Sequence, residues 1–124
     1  MSKIEAGQEV IDSRDIIDRI DELESADRLE TEEAAELETL KALAEQGEQE
    51  STDWRHGETL VHRRYWVDFT AETIHDCYTM PKEWQSGEWP FRHMTIDYEA
   101  AAQELETDYA SIYFDGHEYL IRSC

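Results

Sequence analysis

Four side chains with metal-ligating or nucleophilic chemistry, His62, His75, Cys77 and His93, stand in the middle of the chain. Structural zinc takes four nitrogen or sulfur ligands, and its sites are recognised by close paired spacing. The spacing here fits no finger or ribbon. His75 and Cys77 lie two apart, whereas facing neighbours on a helix are three or four apart. No serine sits in a nucleophile-elbow pattern, and there is no glycine-rich phosphate loop, HExxH pair or EF-hand loop. The expectation is a protein that is not an enzyme, with no catalytic residue, metal ligand or cofactor.

The carboxylates hold the other chemistry. Thirty-one Asp and Glu face eleven Lys and Arg, a net charge of −20 on 124 residues. Residues 1–53 carry 18 acids against 5 bases, and the remainder 13 against 6. Such charge exceeds what solubility asks of a small domain and destabilises the compact state by self-repulsion. Phosphates would be repelled, which excludes direct binding of nucleic acid. A basic, nucleic-acid-binding protein is the partner this charge fits. The ordinary fate of acids on an amphipathic helix is plain solvation. Against it, five bases cannot neutralise eighteen acids through i,i+4 pairs, and like charges such as Glu32 and Glu36 repel. Asp15, Asp18, Asp21, Glu22, Glu32, Glu33, Glu36 and Glu38 are therefore the candidate contact set.

The elements that position these acids follow from apolar spacing. Met1 to Val10 reads as a loose tail. Asp12 caps a helix whose stripe is Ile16, Ile20 and Leu23, with Ile17 on its flank, fading near Ser25. Thr31 reads as the next N-cap, Leu37, Leu40, Leu43 and Ala44 as the inward face, and Gly47 as the stop. The two helices predict an acidic antiparallel hairpin over 1–53. All four tryptophans and all six tyrosines lie in 54–124. There, Leu60-Val61 suits a short strand, and Arg63 to Asp76 a helix. Met80 to Pro90 reads as a loop, and Asp97 caps a helix running to about Tyr109. Asp115-Gly116 centres a β-hairpin over Ser111 to Arg122. Its register places Phe114 opposite His117 and Ile112 opposite Tyr119. Ile112, Phe114, Tyr119 and Ile121 then share a face that packs on the preceding helix, with Leu60-Val61 as a third strand. The fold class is α+β, one domain in two segments. Most aromatics, including Trp54, Tyr65, Trp66 and Phe69, are core material, whereas Trp84 and Trp89 in the loop are candidate partner anchors.

WPFRHMTIDYEAAAQELETDYASIYFDGHEYLIR, residues 89–122, resembles the ending of small acidic proteins of bacteriophages and mobile elements, which runs WP, then IDWEAAA-EL-DY, then FDG-YW-R. WRHGETLVHRRYWVDF, residues 54–69, is similar to their segment DW-YG-TLIRDSYF-EY. Tyr98 stands where those relatives have Trp, and Leu120-Ile121 where they have Trp followed by Val or Tyr; both keep an apolar side chain. The resemblance implies evasion of host defence, without enzymatic activity. The expectation is an anti-CRISPR inhibitor that mimics DNA and occupies the basic DNA-binding surface of an effector complex, of type I because such channels are long and lysine-rich. The alternatives are an antirestriction protein and a phage structural or adaptor protein using the aromatic half. Two cysteines without a CxxC pair build no disulfide framework, and no charged-then-apolar leader or membrane-length apolar run is present. The expected location is the host cytoplasm. A homodimer is compatible with all of this.

Overall fold

Asp12 ends a short strand, β1 (Val10–Asp12), and opens α1 (Ser13–Glu24) in the computed structural model, which describes residues 4–123. Its carboxylate accepts the Arg14 backbone N–H at 2.9 Å, satisfying one of the orphan donors at a helix start. Ile16 and Leu23 are buried, with Ile17 and Ile20 packed beside them, and Ser25 caps the end. The expected loose tail is corrected. Met1 to Lys3 lie outside the described residues, but Ile4 is buried in the core and Val10 belongs to β1. Tyr119 donates its hydroxyl to the Gln8 carbonyl at 2.6 Å, and Arg64 donates to the Gly7 carbonyl at 2.9 Å. These partners, 111 and 57 residues away along the chain, are invisible to a local reading.

The second helix, α2, spans Thr31–Glu50. Thr31 is its first residue rather than its cap: Glu33 reaches back to accept the Glu30 backbone N–H at 3.1 Å. Gly47 does not stop the helix. It is buried under the Trp54 ring, where a Cβ would come within 2.2 Å of the indole, so glycine serves close packing and the helix continues for three more residues.

After a 3-10 turn (Trp54–His56) come β2 (Thr59–His62), a second turn (Arg63–Tyr65) and α3 (Trp66–Cys77). The single helix expected from Arg63 thus begins as a 3-10 turn. A one-turn helix, α4 (Lys82–Gln85), lies in the expected loop, a 3-10 turn (Phe91–His93) comes just after it, and α5 (Tyr98–Glu106) follows Asp97, whose carboxylate accepts the Ala100 N–H at 3.0 Å. α5 ends earlier than expected, because Tyr109 opens β3 (Tyr109–Phe114) opposite Arg122. β4 (His117–Arg122) closes the hairpin in the expected register, with Phe114 opposite His117 and Ile112 opposite Tyr119. Asp115 and Gly116 both have positive φ, 50° and 83°, as a two-residue turn between twisted strands requires.

The sheet is antiparallel in the order β1-β2-β4-β3, so the fold is α+β. Helices cover both faces. Ile112, Phe114, Tyr119 and Ile121 pack with Ile11, Leu60 and the inward residues of α1 and α2. The expectation that they pack on α5 is corrected: α5 gives Ala102 and Leu105 to the opposite face, against Val61, Trp66 and Leu120. The run Tyr119-Leu120-Ile121 carries the reason, since three consecutive apolar residues, all at most 1% exposed, must face two cores. Trp66 ties the second face together by donating its indole N–H to the Ala102 carbonyl at 2.9 Å.

Candidate partner-binding surface

The layer formed by α1 and α2 holds the expected contact residues. α1 carries five acids against two bases, and α2 seven against one. All three bases are engaged locally. Arg14 pairs with Asp12 at 2.7 Å, Lys41 with Glu24 at 3.3 Å, and Arg19 with both Glu22 and Glu36. Arg19 links the helices through a two-pronged fork to Glu36 at 2.6 and 2.9 Å, and both side chains are only 14% exposed. These hydrogen bonds hold the Arg19 guanidinium charged well above its ordinary range, and Arg14 lowers the Asp12 carboxyl in the same way.

The structure therefore divides the eight acids. Asp15, Asp18, Asp21, Glu32 and Glu38 are exposed. Glu22 is exposed but paired with Arg19, Glu33 is half-buried at the helix start, and Glu36 is held between the helices. Exposed Glu45, and exposed Glu48 on the stretch of α2 past Gly47, join the same outer layer, residues the expected set omits. Glu45 already lay within the expected helix, whereas Glu48 fell beyond the stop read at Gly47. A groove of about 380 Å³ opens between α2, the N-terminal segment and the β3–β4 turn, lined by apolar Ile4, Ala6 and Phe114 and acidic Glu5, Glu32 and Asp115.

Trp84 and Trp89 are 38% and 72% exposed on the segment that joins α3 to α5. The helices it joins, α3 and α5, pack on the face of the sheet opposite α1 and α2, and neither tryptophan belongs to the cluster those acidic helices cover.

The histidines and cysteine are dispersed. His62 is buried and accepts the Arg64 backbone N–H on Nδ1 at 2.9 Å. Its other nitrogen, Nε2, lies 3.0 Å from Nδ1 of His117, which fixes the neutral His62 as the Nε2–H tautomer donating to His117. Burial, then the nearby Arg64 and His117, push the His62 pKa down, against the pull of Glu118. His75 Nε2 lies 2.6 Å from the Tyr98 hydroxyl, His93 sits beside Arg92, and Cys77 is exposed at the end of α3. Among the described residues no three His, Cys, Asp or Glu side chains converge as metal ligands. Arg63 bridges Glu106 at 2.7 Å and Glu118 at 2.8 Å, lowering the Glu118 carboxyl together with a hydrogen bond from Ser111. Tyr65 donates to Glu72, and its hydroxyl pKa is pushed up to about 12. Each of these links secondary-structure elements or neighbouring turns. Among the described residues no helix is long and apolar enough to cross a membrane. Comparison with known protein families, curated proteins and solved structures finds no match to this chain.

Proposed function

We propose that this protein is a DNA mimic of the phage anti-CRISPR kind, acting in the host cytoplasm without catalysis. Its α1–α2 layer occupies the basic DNA-binding surface of a CRISPR effector complex, of type I, and blocks target recognition. The observation that carries this reading is the charge of that layer after internal pairing. Twelve acids and three bases leave nine negative charges on it. A helix the length of α2 spans about 30 Å, so the surplus amounts to one charge per about 3.3 Å. A DNA strand carries one per about 3.4 Å of axis. Lysine and arginine rows built to follow phosphates meet a comparable spacing here, and Arg19 holds the two helices in one unit. The groove beside Glu32 adds a place where the alkyl stem of a partner's lysine or arginine meets Ile4 and Phe114 while its charge meets carboxylates. The same surface suits the DNA cleft of a restriction–modification enzyme, which is the second target class.

Purified protein should compete with duplex DNA for a type I effector complex, with competition falling steeply as salt rises. Reversing Asp15, Asp18, Asp21, Glu32 and Glu38 to Lys should abolish competition while circular dichroism stays native. Undiminished competition by that variant, or capture from host lysate of virion or metabolic proteins alone, would overturn the proposal. Competition with a restriction enzyme and not with CRISPR effectors would assign the second target.

A further inference from the structure

The segment from Tyr78 to Ile96 differs in charge from the rest of the chain. It holds two acids, Glu83 and Glu88, and two bases, Lys82 and Arg92, within a protein of net charge −20. None of these four forms an ion pair within the chain among the described residues. Residues 81–90 are exposed throughout. Tyr78, Trp84, Trp89 and Met94 are 67%, 38%, 72% and 46% exposed, and none belongs to either buried cluster. The backbone is nonetheless ordered by its own hydrogen bonds. Trp84 donates to the Pro81 carbonyl at 3.1 Å, Arg92 to Glu88 at 2.9 Å and Met94 to Phe91 at 3.0 Å. Long connections of this kind in compact domains are commonly functional, and a preorganised surface rich in Trp, Tyr and Arg has the composition of binding hot spots.

We infer that this segment is the contact through which two copies of the chain pair about a two-fold axis. A two-fold contact uses the same patch on both subunits and must be complementary to itself. Equal numbers of unpaired acids and bases among exposed aromatics satisfy that condition: Lys82 and Arg92 of one copy meet Glu83 and Glu88 of the other. A strongly basic or strongly acidic partner would gain nothing from the balance. In the chain the segment joins α3 to α5, whose buried residues pack on the face of the sheet opposite the one that α1 and α2 cover. The inference is independent of what α1 and α2 bind.

Sedimentation equilibrium of the full chain over about 1–500 µM, a range that brackets transient association, tests it. A monomer–dimer equilibrium is expected. Replacing Trp84 and Trp89 together by Ser should weaken pairing by roughly thirty-fold or more, with an unchanged melting curve. Two further variants, K82E/R92E and E83K/E88K, should each fail to self-associate yet pair with one another when mixed. A monomer at every concentration, a dimer unaffected by the tryptophan changes, or no pairing in the mixture overturns the inference. So does tryptophan-dependent capture of a different protein by a chain that stays monomeric. Reversal of the α1–α2 acids, which tests mimicry, should leave the dimer intact; loss of the dimer in that variant would place the contact elsewhere.

Discussion

At Gly47 a single missing methyl decides how α2 meets the turn that follows it. Glycine inside a helix costs about 1 kcal/mol relative to alanine, so Gly47→Ala would ordinarily stabilise. Here the added Cβ would lie 2.2 Å from the Trp54 ring, which is itself only 1% exposed and has no room to retreat. The expected outcome is a loss of about 2–3 kcal/mol, read from the urea midpoint at constant m value. His62 offers a second test. Its folded pKa is lowered from the ordinary 6.5, so the unfolded chain takes up the proton first, and stability from the neutral ring is lost as pH falls below that value. A second proton must go to Nδ1, which accepts the Arg64 N–H, and the His62 backbone N–H itself holds the Glu9 carbonyl at 2.8 Å. Hydrogen exchange in residues 4–10 should therefore quicken between pH 7.5 and 5.5 more than exchange in α2, once corrected for intrinsic rates.

Among the elements, β3 is an edge strand, and α2 guards it. The Gln46 side chain donates to the Tyr113 carbonyl and accepts the Tyr113 N–H, each at 2.9 Å, acting as one residue of a further strand. Open edges invite pairing with other chains. Gln46→Ala should cost about 1–2 kcal/mol, the worth of two hydrogen bonds, and faster amide exchange should be confined to the tip of the hairpin around Tyr113. The hairpin is also where local and tertiary signals part. Asp115-Gly116 and the alternating apolar residues set its register from sequence alone. Which helices cover which face depended on α1 and α2 reaching across the sheet, and no spacing within the hairpin encodes that.

The whole molecule carries a charge of −20 that the fold offsets only in part. Its bridges, Arg19 between α1 and α2 and Arg63 between Glu106 and Glu118, join elements that would otherwise repel. Screening the remainder should stabilise. Raising sodium chloride from about 0.05 to 0.5 M is expected to raise the melting temperature by roughly 3–5 °C, equivalent to about 1 kcal/mol. A flat or falling melting temperature would mean that the paired charges outweigh the repelling ones.

The α+β class, α1 with its Asp12 cap, the Asp97 cap and the Asp115-Gly116 hairpin were legible in the sequence, because each depends on residues within a few positions of one another. So was the concentration of acids on the first two helices, which composition alone dictates. Tertiary contacts decided the rest. Gly47 reads as a helix stop until Trp54 is seen to need its space, and the N-terminal segment reads as a tail until Tyr119 and Arg64 are seen to hold it. Glu36 reads as a free surface charge until Arg19 claims it. In each case the deciding partner lies between 7 and 111 residues away, and local periodicity carries no information about a side chain that arrives from another element.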